Sequence, residues 1–156
     1  MSAKILIAID ASDTSFKVVR YASRLVRQAD DIKITLFTVL PGLSFPDRFL
    51  DEEMKRKHLL KAKHYFDEES ERMHALFEKA KAPLIDQGIN PENITTKFNF
   101  VKAGVARDII DEIKKGEYDT VIVGRKGLSK IQEFFIGSVS QKLLQYAKDF
   151  TLWIVA

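Results

Sequence analysis

The sequence predicts an α/β fold, a doubly wound and mainly parallel sheet of five strands with helices on both faces. Two observations carry this. Short runs of β-branched and large apolar residues alternate along the chain with longer stretches of helical periodicity, which is the pattern of successive βαβ units. The first and fourth of those runs, Lys4 to Asp10 and Tyr118 to Gly124, are continuously apolar through their middles, as strands covered on both faces should be.

The elements follow in order. Lys4 to Asp10 reads as a buried strand ending in the turn residues Asp10-Ala11-Ser12-Asp13, of which Ser12 or Asp13 can cap the next helix. That helix carries Val18, Val19, Ala22, Leu25 and Val26 at helical spacing. Ile32 to Leu40 is a second strand by its β-branched content. Pro41-Gly42 breaks it, and Pro41 to Leu50 reads as a loop longer than a minimal crossover. From about Asp51 to Gln87 the period is helical again, with Leu59, Leu60, Tyr65, Phe66, Met73, Leu76, Phe77 and Ala80 read as one stripe. Ile94, Thr96, Phe98 and Phe100 alternate with polar neighbours, so a third strand is expected there. Val105 to Lys115 is a short helix stopped by Gly116, Tyr118 to Gly124 the fourth strand, Val139 to Lys148 the last helix and Thr151 to Val155 the final strand.

The whole chain, residues 1–156, is expected to form one domain, since 156 residues fall within the usual ~100–200 per domain. No internal repeat, low-complexity tract or linker interrupts it. A hydrophobic fraction of 46% and a charged fraction of 30% fit a buried core and argue against wholesale disorder. The formal net charge is +3, with 25 basic and 22 acidic residues interspersed, so no polyanion-binding face is expected. The absence of cysteine excludes disulfides, thiolate metal sites and cysteine nucleophiles. The opening apolar run is too short for a signal peptide, and no run approaches the roughly 20 residues of a membrane helix. A soluble, cytoplasmic protein with neither nucleic acid nor membrane as partner is expected.

In such a sheet, ligands bind beyond the carboxyl ends of the strands where the strand order reverses. After the fourth strand the chain reads Gly124-Arg125-Lys126-Gly127, then nine residues, then Gly137-Ser138-Val139-Ser140 opening the last helix. Gly124 and Gly127 allow a free turn and a close backbone approach to a ligand. Gly137 and Ser138 stand at a helix N-terminus, where free N–H groups and the dipole favour an anion. The hydroxyls of Ser138 and Ser140 add donors, and Arg125 or Lys126 can offset negative charge. A phosphate chain suits this arrangement, although each glycine alone serves equally well as a turn residue. Asp10 and Ser138 likewise have the simpler use of capping a turn or a helix.

The spacing Gly-x2-Gly-x9-Gly-Ser resembles the ATP-binding signature of universal stress proteins, and the resemblance extends over nearly the whole chain. Ile5 to Ser12, Gly104 to Ala106 before Ile109-Ile110, Tyr118 to Gly127 and Phe135 to Leu144 carry it. It implies a fold of the adenine nucleotide alpha-hydrolase-like kind with strand order 3-2-1-4-5. It implies that Gly124, Gly127, Gly137, Ser138, Val139 and Ser140, beside Arg125 and Lys126, line the triphosphate and ribose. Ala8, Ile9, Asp10 and Val39 would form the adenosine side, with Asp10 accepting from the nucleoside and the Val39 backbone meeting adenine. A divalent ion, Mg or Mn, would ride on the phosphates rather than on protein ligands. Two departures stand out: Phe150-Thr151-Leu152 where the family often has a proline, and the bulky basic pair Arg125-Lys126.

Other features have plainer readings. His58, His64 and His74 lack the spacing of a helical zinc pair and are expected to be exposed. The basic run Lys55-Arg56-Lys57 with Lys61 and Lys63 is followed by Asp67-Glu68-Glu69 and Glu71, as on a solvated helical face. Phe134-Phe135-Ile136 is expected to pack in the core. At a sheet edge, the unbroken apolar Leu152-Trp153-Ile154-Val155 calls for a cover, and a homodimer joined through Thr151 to Val155 is expected, in agreement with the dimers usual in similar proteins. No nucleophile–base pair, Walker lysine motif, kinase or zinc signature is present. An ATP-binding, nucleotide-responsive stress-response regulator is therefore expected. A dimeric scaffold of the same fold that binds no nucleotide, or a slow ATPase or autophosphorylating protein, is the alternative.

Overall fold

The computed structural model describes residues 2–10, 12–27, 29, 31–43, 51–125 and 137–156. Its elements are β1 (Ala3–Ala8), α1 (Asp13–Leu25), β2 (Ile32–Leu40), α2 (Glu52–Asp86), β3 (Ile94–Phe100), α3 (Val105–Gly116), β4 (Thr120–Gly124), α4 (Ser138–Tyr146) and β5 (Thr151–Val155), with a 3-10 turn at Pro91–Asn93. The five strands form one sheet in the order β3-β2-β1-β4-β5, parallel throughout. The fold class and strand order expected from sequence are the ones found.

Alternation along each strand divides the core in two. Ile5, Ile7, Ile34, Leu36 and Ile122 turn to the face covered by α1 and α2, through Val18, Val19, Ala22, Met73, Phe77, Ala80 and Leu84. Leu6, Phe37, Val121 and Val123 turn to the other face, against Ile109, Ile110 and Ile113 of α3 and Leu143 of α4. A one-residue slip of any central strand would exchange these sets, so burial on both faces fixes the register.

The helix starts have local causes. Ser12 caps α1, its side chain accepting from Ser15 N, and Asp51 caps α2 by accepting from Met54 N at 2.8 Å. In α3, Asp108 reaches back to accept from Lys102 N at 2.7 Å and Ala103 N at 3.1 Å, which ties down the turn before Val105.

Several boundaries and burials differ from the sequence expectation. β1 ends at Ala8, because Asp10 leaves the ladder to hydrogen-bond the start of α1, although Ile9 N still donates to Phe37 O at 2.8 Å. β4 begins at Thr120 rather than Tyr118, whose phenol instead turns to Glu112. Gly116 does not stop α3 by adopting a left-handed conformation; Glu117 does so, at φ 52°. Gly116 is needed for space, since a Cβ there would overlap the Tyr118 ring. α4 is shifted toward the N-terminus, Ser138–Tyr146.

In α1, Leu25 is 52% exposed beside β5. In α2 the expected single stripe fails: Leu59 is 71%, Leu60 63% and Phe66 49% exposed. At about 100° per residue Leu60 cannot share a line with Leu59, and only from Met73 onward does the helix lie over the sheet. His64 and His74 are exposed as expected, whereas His58 is half-buried on the flank it shares with Ala62 and Tyr65. Residues 44–50 of the expected loop, and Phe134-Phe135-Ile136, lie outside the described residues.

Candidate functional site

The sheet order reverses between β1 and β4: β1 is followed in the chain by α1 and β2 on one side, while β4 lies on the other. At the carboxyl ends of these strands is a cavity of about 490 Å³, within the ~300–1,000 Å³ common for small-molecule sites. Ala8 at the end of β1 and the following Ile9 and Asp10 line it, with Thr38 and Val39 of β2 and Val123 and Gly124 of β4. Val139 and Ile109 close the side toward α4 and α3. Most of this wall is apolar.

One end of the cavity is different. Helix α4 begins at Gly137, which offers no side chain to cap it, and its first turn holds no acidic residue. Among the described residues, no acceptor meets the backbone N–H groups of Ser138, Val139 and Ser140. By contrast, side chains cap α1 and α2. A helix with unpaired amides and its positive dipole end at a cavity favours an anion.

The end of β4 and the start of α4 are tied to each other and to β5. Arg125 N donates to Val155 O at 2.7 Å, Gly137 N donates to Arg125 O at 2.7 Å, and the buried Ser140 hydroxyl donates to Gly124 O at 2.7 Å. The N-terminus of α4 is thus fixed against the end of the sheet by three bonds that use backbone or buried groups. The Ser140 hydroxyl is committed to this tie, whereas Ser138 is exposed.

Asp10 is fixed on the opposite side. Its Oδ1 accepts from Ser12 N at 2.8 Å and from Ser15 Oγ at 2.8 Å, while Ser15 Oγ accepts from Asp10 N at 2.7 Å. The capping use and a ligand-facing position coexist, because Asp10 also lines the cavity.

Nine of the residues singled out from sequence converge on this cavity: Ala8, Ile9, Asp10, Val39, Gly124, Gly137, Ser138, Val139 and Ser140. Arg125 follows Gly124 in the chain, and its backbone makes two of the bonds just described. Lys126 and Gly127 lie outside the described residues. Sequence reasoning missed Ser15, Phe37, Thr38, Pro41, Val101, Val105, Ile109 and Val123 as lining residues. Val101 and Val105 follow from the same rule as the others, since they flank the carboxyl end of β3. Ser15 is legible only through its hydrogen bonds. Among the described residues, no group of three histidine, aspartate or glutamate side chains is placed to hold a metal ion.

Residues 1–151 match the sequence profile of the Universal stress protein family. The chain belongs to that family. It is 25% identical over 155 residues to universal stress protein YxiE of Bacillus subtilis, covering 91% of each chain. Hypothetical protein MJ0577 has the same fold at a TM-score of 0.74 and 18% identity, covering 99% of this chain and 96% of that one. A universal stress protein solved in complex with cAMP aligns at a TM-score of 0.63 and 19% identity, over 99% and 96% of the two chains. Family members from Archaeoglobus fulgidus in complex with dAMP and from Arabidopsis thaliana with AMP bound align at TM-scores of 0.58 and 0.61, identities of 17% and 18%. The former covers 99% of this chain and 98% of its own, the latter 98% and 90%. Among the described residues, no helix is long and apolar enough to cross a membrane.

Proposed function

We propose that this member of the family is a single-domain cytoplasmic protein that binds ATP in the cavity between β1, β2 and β4, and that occupancy is its regulatory signal. The reading rests on one observation: an apolar cavity of about 490 Å³ ends at the uncapped N-terminus of α4. The apolar wall of Ala8, Ile9, Val39 and Val123 suits a purine and ribose. The amides of Ser138, Val139 and Ser140 suit the phosphates. The cAMP, dAMP and AMP held by structural neighbours support an adenine nucleotide as the class of ligand.

Each residue then has a task. Asp10, held by Ser12 and Ser15, offers its second carboxylate oxygen to nucleoside hydroxyls, and the Val39 backbone meets the base edge. Gly124 and Gly137 let the chain pass close to the phosphates, and Arg125, Lys126 and Gly127 take part in holding them. Bound Mg or Mn would be held by the phosphates and would screen their charge. Denaturing the purified protein and assaying for released adenine nucleotide, followed by calorimetric titration with ATP, tests the reading. Gly137→Val should weaken ATP binding by about tenfold or more, that is by about 1.4 kcal/mol or more. No binding at millimolar ATP would refute it.

One observation also favours a homodimer. β5 is an edge strand, and beside it Tyr21, Leu25, Trp153, Ile154 and Val155 line a second hollow. An open apolar edge pairs readily with another strand, and we read Thr151 to Val155 as the dimer seam. Sedimentation should give twice the 17.8 kDa chain mass at micromolar concentration; a monomer would contradict this.

A further inference from the structure

Helix α2 runs for 35 residues, about 50 Å at 1.5 Å per residue. Its buried residues, Met73, Phe77, Ala80 and Leu84, all lie in its second half. From Glu52 to Glu69, His58, Ala62, Tyr65 and Glu69 are half-buried and the other residues are exposed. That spacing puts the four on one flank of the helix. The flank is held by a hydrogen bond and by ring packing. Tyr65 Oη donates to Pro41 O at 2.8 Å. The Tyr65 ring lies 5.9 Å from that of Phe100, and the Phe66 ring lies 6.4 and 5.7 Å from those of Phe98 and Phe100. A helix half with so little buried surface opens at a far smaller cost than the whole fold.

The Tyr65 bond ends on the wall of the cavity. Pro41 follows β2 directly and lines the cavity with Val39, Val101 and Val105. Val101 N donates to Leu40 O at 2.7 Å, so the successive carbonyls of Leu40 and Pro41 are held by the end of β3 and by α2. Pro41 has no N–H with which to extend the ladder itself. The Tyr65 hydroxyl holds it from outside, and a ligand in the cavity meets it from inside.

The first half of α2 therefore has two states. In the docked one Tyr65 bonds Pro41 O; in the undocked one both groups turn to water. One net hydrogen bond shifts such an equilibrium by about fivefold.

We propose that Tyr65 is a positioning residue that couples occupancy of the cavity to docking of the first half of α2. The inference rests on the nucleotide reading above and supplies its regulatory output. A ligand packed against Pro41 and Val101 restricts the Pro41 peptide, so the Tyr65 hydroxyl meets an acceptor already in place. Docking and binding each lower the ordering cost of the other, and linkage makes the effect equal in both directions. Occupancy of a cavity at the end of the sheet is thus displayed on the exposed half of a long helix.

The test uses the full chain and Tyr65→Phe, which keeps the ring beside Phe100 and removes only the hydroxyl. Amide hydrogen exchange over residues 52–66 is followed by mass spectrometry, without ATP and with ATP at a concentration that calorimetry shows to be saturating. In the natural chain ATP should slow this exchange roughly threefold to fivefold, since the bond transmits no more than it contributes. Without ATP, Tyr65→Phe should exchange about fivefold faster than the natural chain, and ATP should no longer slow it. By reciprocity the variant should bind ATP more weakly, by no more than about fivefold. A purely structural role for Tyr65 would speed exchange equally with and without ATP and leave the ATP effect intact. That result overturns the coupling while the nucleotide reading stands. So does an unchanged α2 in the natural chain when calorimetry shows ATP bound. No calorimetric binding at millimolar ATP overturns both.

Discussion

Removal of the Ser15 hydroxyl should damage the site and the fold together, by an amount the geometry sets. Ser15 is buried, and its Oγ both accepts from Asp10 N at 2.7 Å and donates to Asp10 Oδ1 at 2.8 Å. In Ser15→Ala, the amide loses its acceptor, and Oδ1 keeps only the bond from Ser12 N at 2.8 Å. A neutral hydrogen bond contributes about 1 kcal/mol and one to a charged group about 1.5–3 kcal/mol. Asp10 is half-buried, so water replaces part of both, and a net loss of about 2 kcal/mol is expected. At roughly 2–4 °C per kcal/mol for a chain of this size, Tm should fall by about 4–8 °C. Under the proposed function, ATP affinity should fall about tenfold as the carboxylate loses its orientation. Scanning calorimetry and titration calorimetry read the two effects. In an Asp10→Ala background, the same substitution should cost clearly less, because the carboxylate bond is already gone. A Tm within about 1 °C of the natural protein would refute this account of the turn, as would the same loss in both backgrounds.

Two further predictions concern the far side of α3. Gly116→Ala should cost about 1–3 kcal/mol, because its Cβ meets the Tyr118 ring, whose hydroxyl donates to Glu112 Oε1 at 3.2 Å; a chemical-denaturation midpoint equal to that of the natural protein would contradict it. Burial, above all, together with the Glu112 carboxylate, raises the Tyr118 pKa above its ordinary 10.0. The folded protein therefore holds that proton to higher pH than the unfolded chain. The associated stability is complete below pH 10 and is lost as pH rises above it. The phenolate absorbance that Tyr118→Phe removes should accordingly titrate with a midpoint above 10.0, and a midpoint at or below that value would refute the assignment.

The central parts of the fold were legible because both faces of the inner strands are buried. That burial forces continuous apolar runs such as Ile5 to Ile9 and Val121 to Val123, and the alternation with helices indicates parallel strands, while their order came from the family resemblance. The cavity was legible for a related reason: the carboxyl ends of those same runs are where a site must form. What the sequence hid was geometry off the sheet. Helical spacing alone cannot reveal where α2 leaves the sheet, so Leu59, Leu60 and Phe66 read as core although they face solvent. Gly116 read as a helix stop, while its reason for being glycine is the Tyr118 ring two residues on. The Ser140 hydroxyl read as a ligand donor, but it lies within reach of Gly124 O. Hydroxyl partners depend on distances between elements far apart in the chain, which spacing does not encode.

An amide-resolved NMR titration with ATP reaches the claim of an anion-binding helix start inside an adenine pocket most directly. On saturation, the largest shifts should fall on Gly137, Ser138, Val139 and Ser140, with a second group on Ala8 to Asp10 and Val39. Unchanged amides at the start of α4, or shifts confined to α2, would contradict the account.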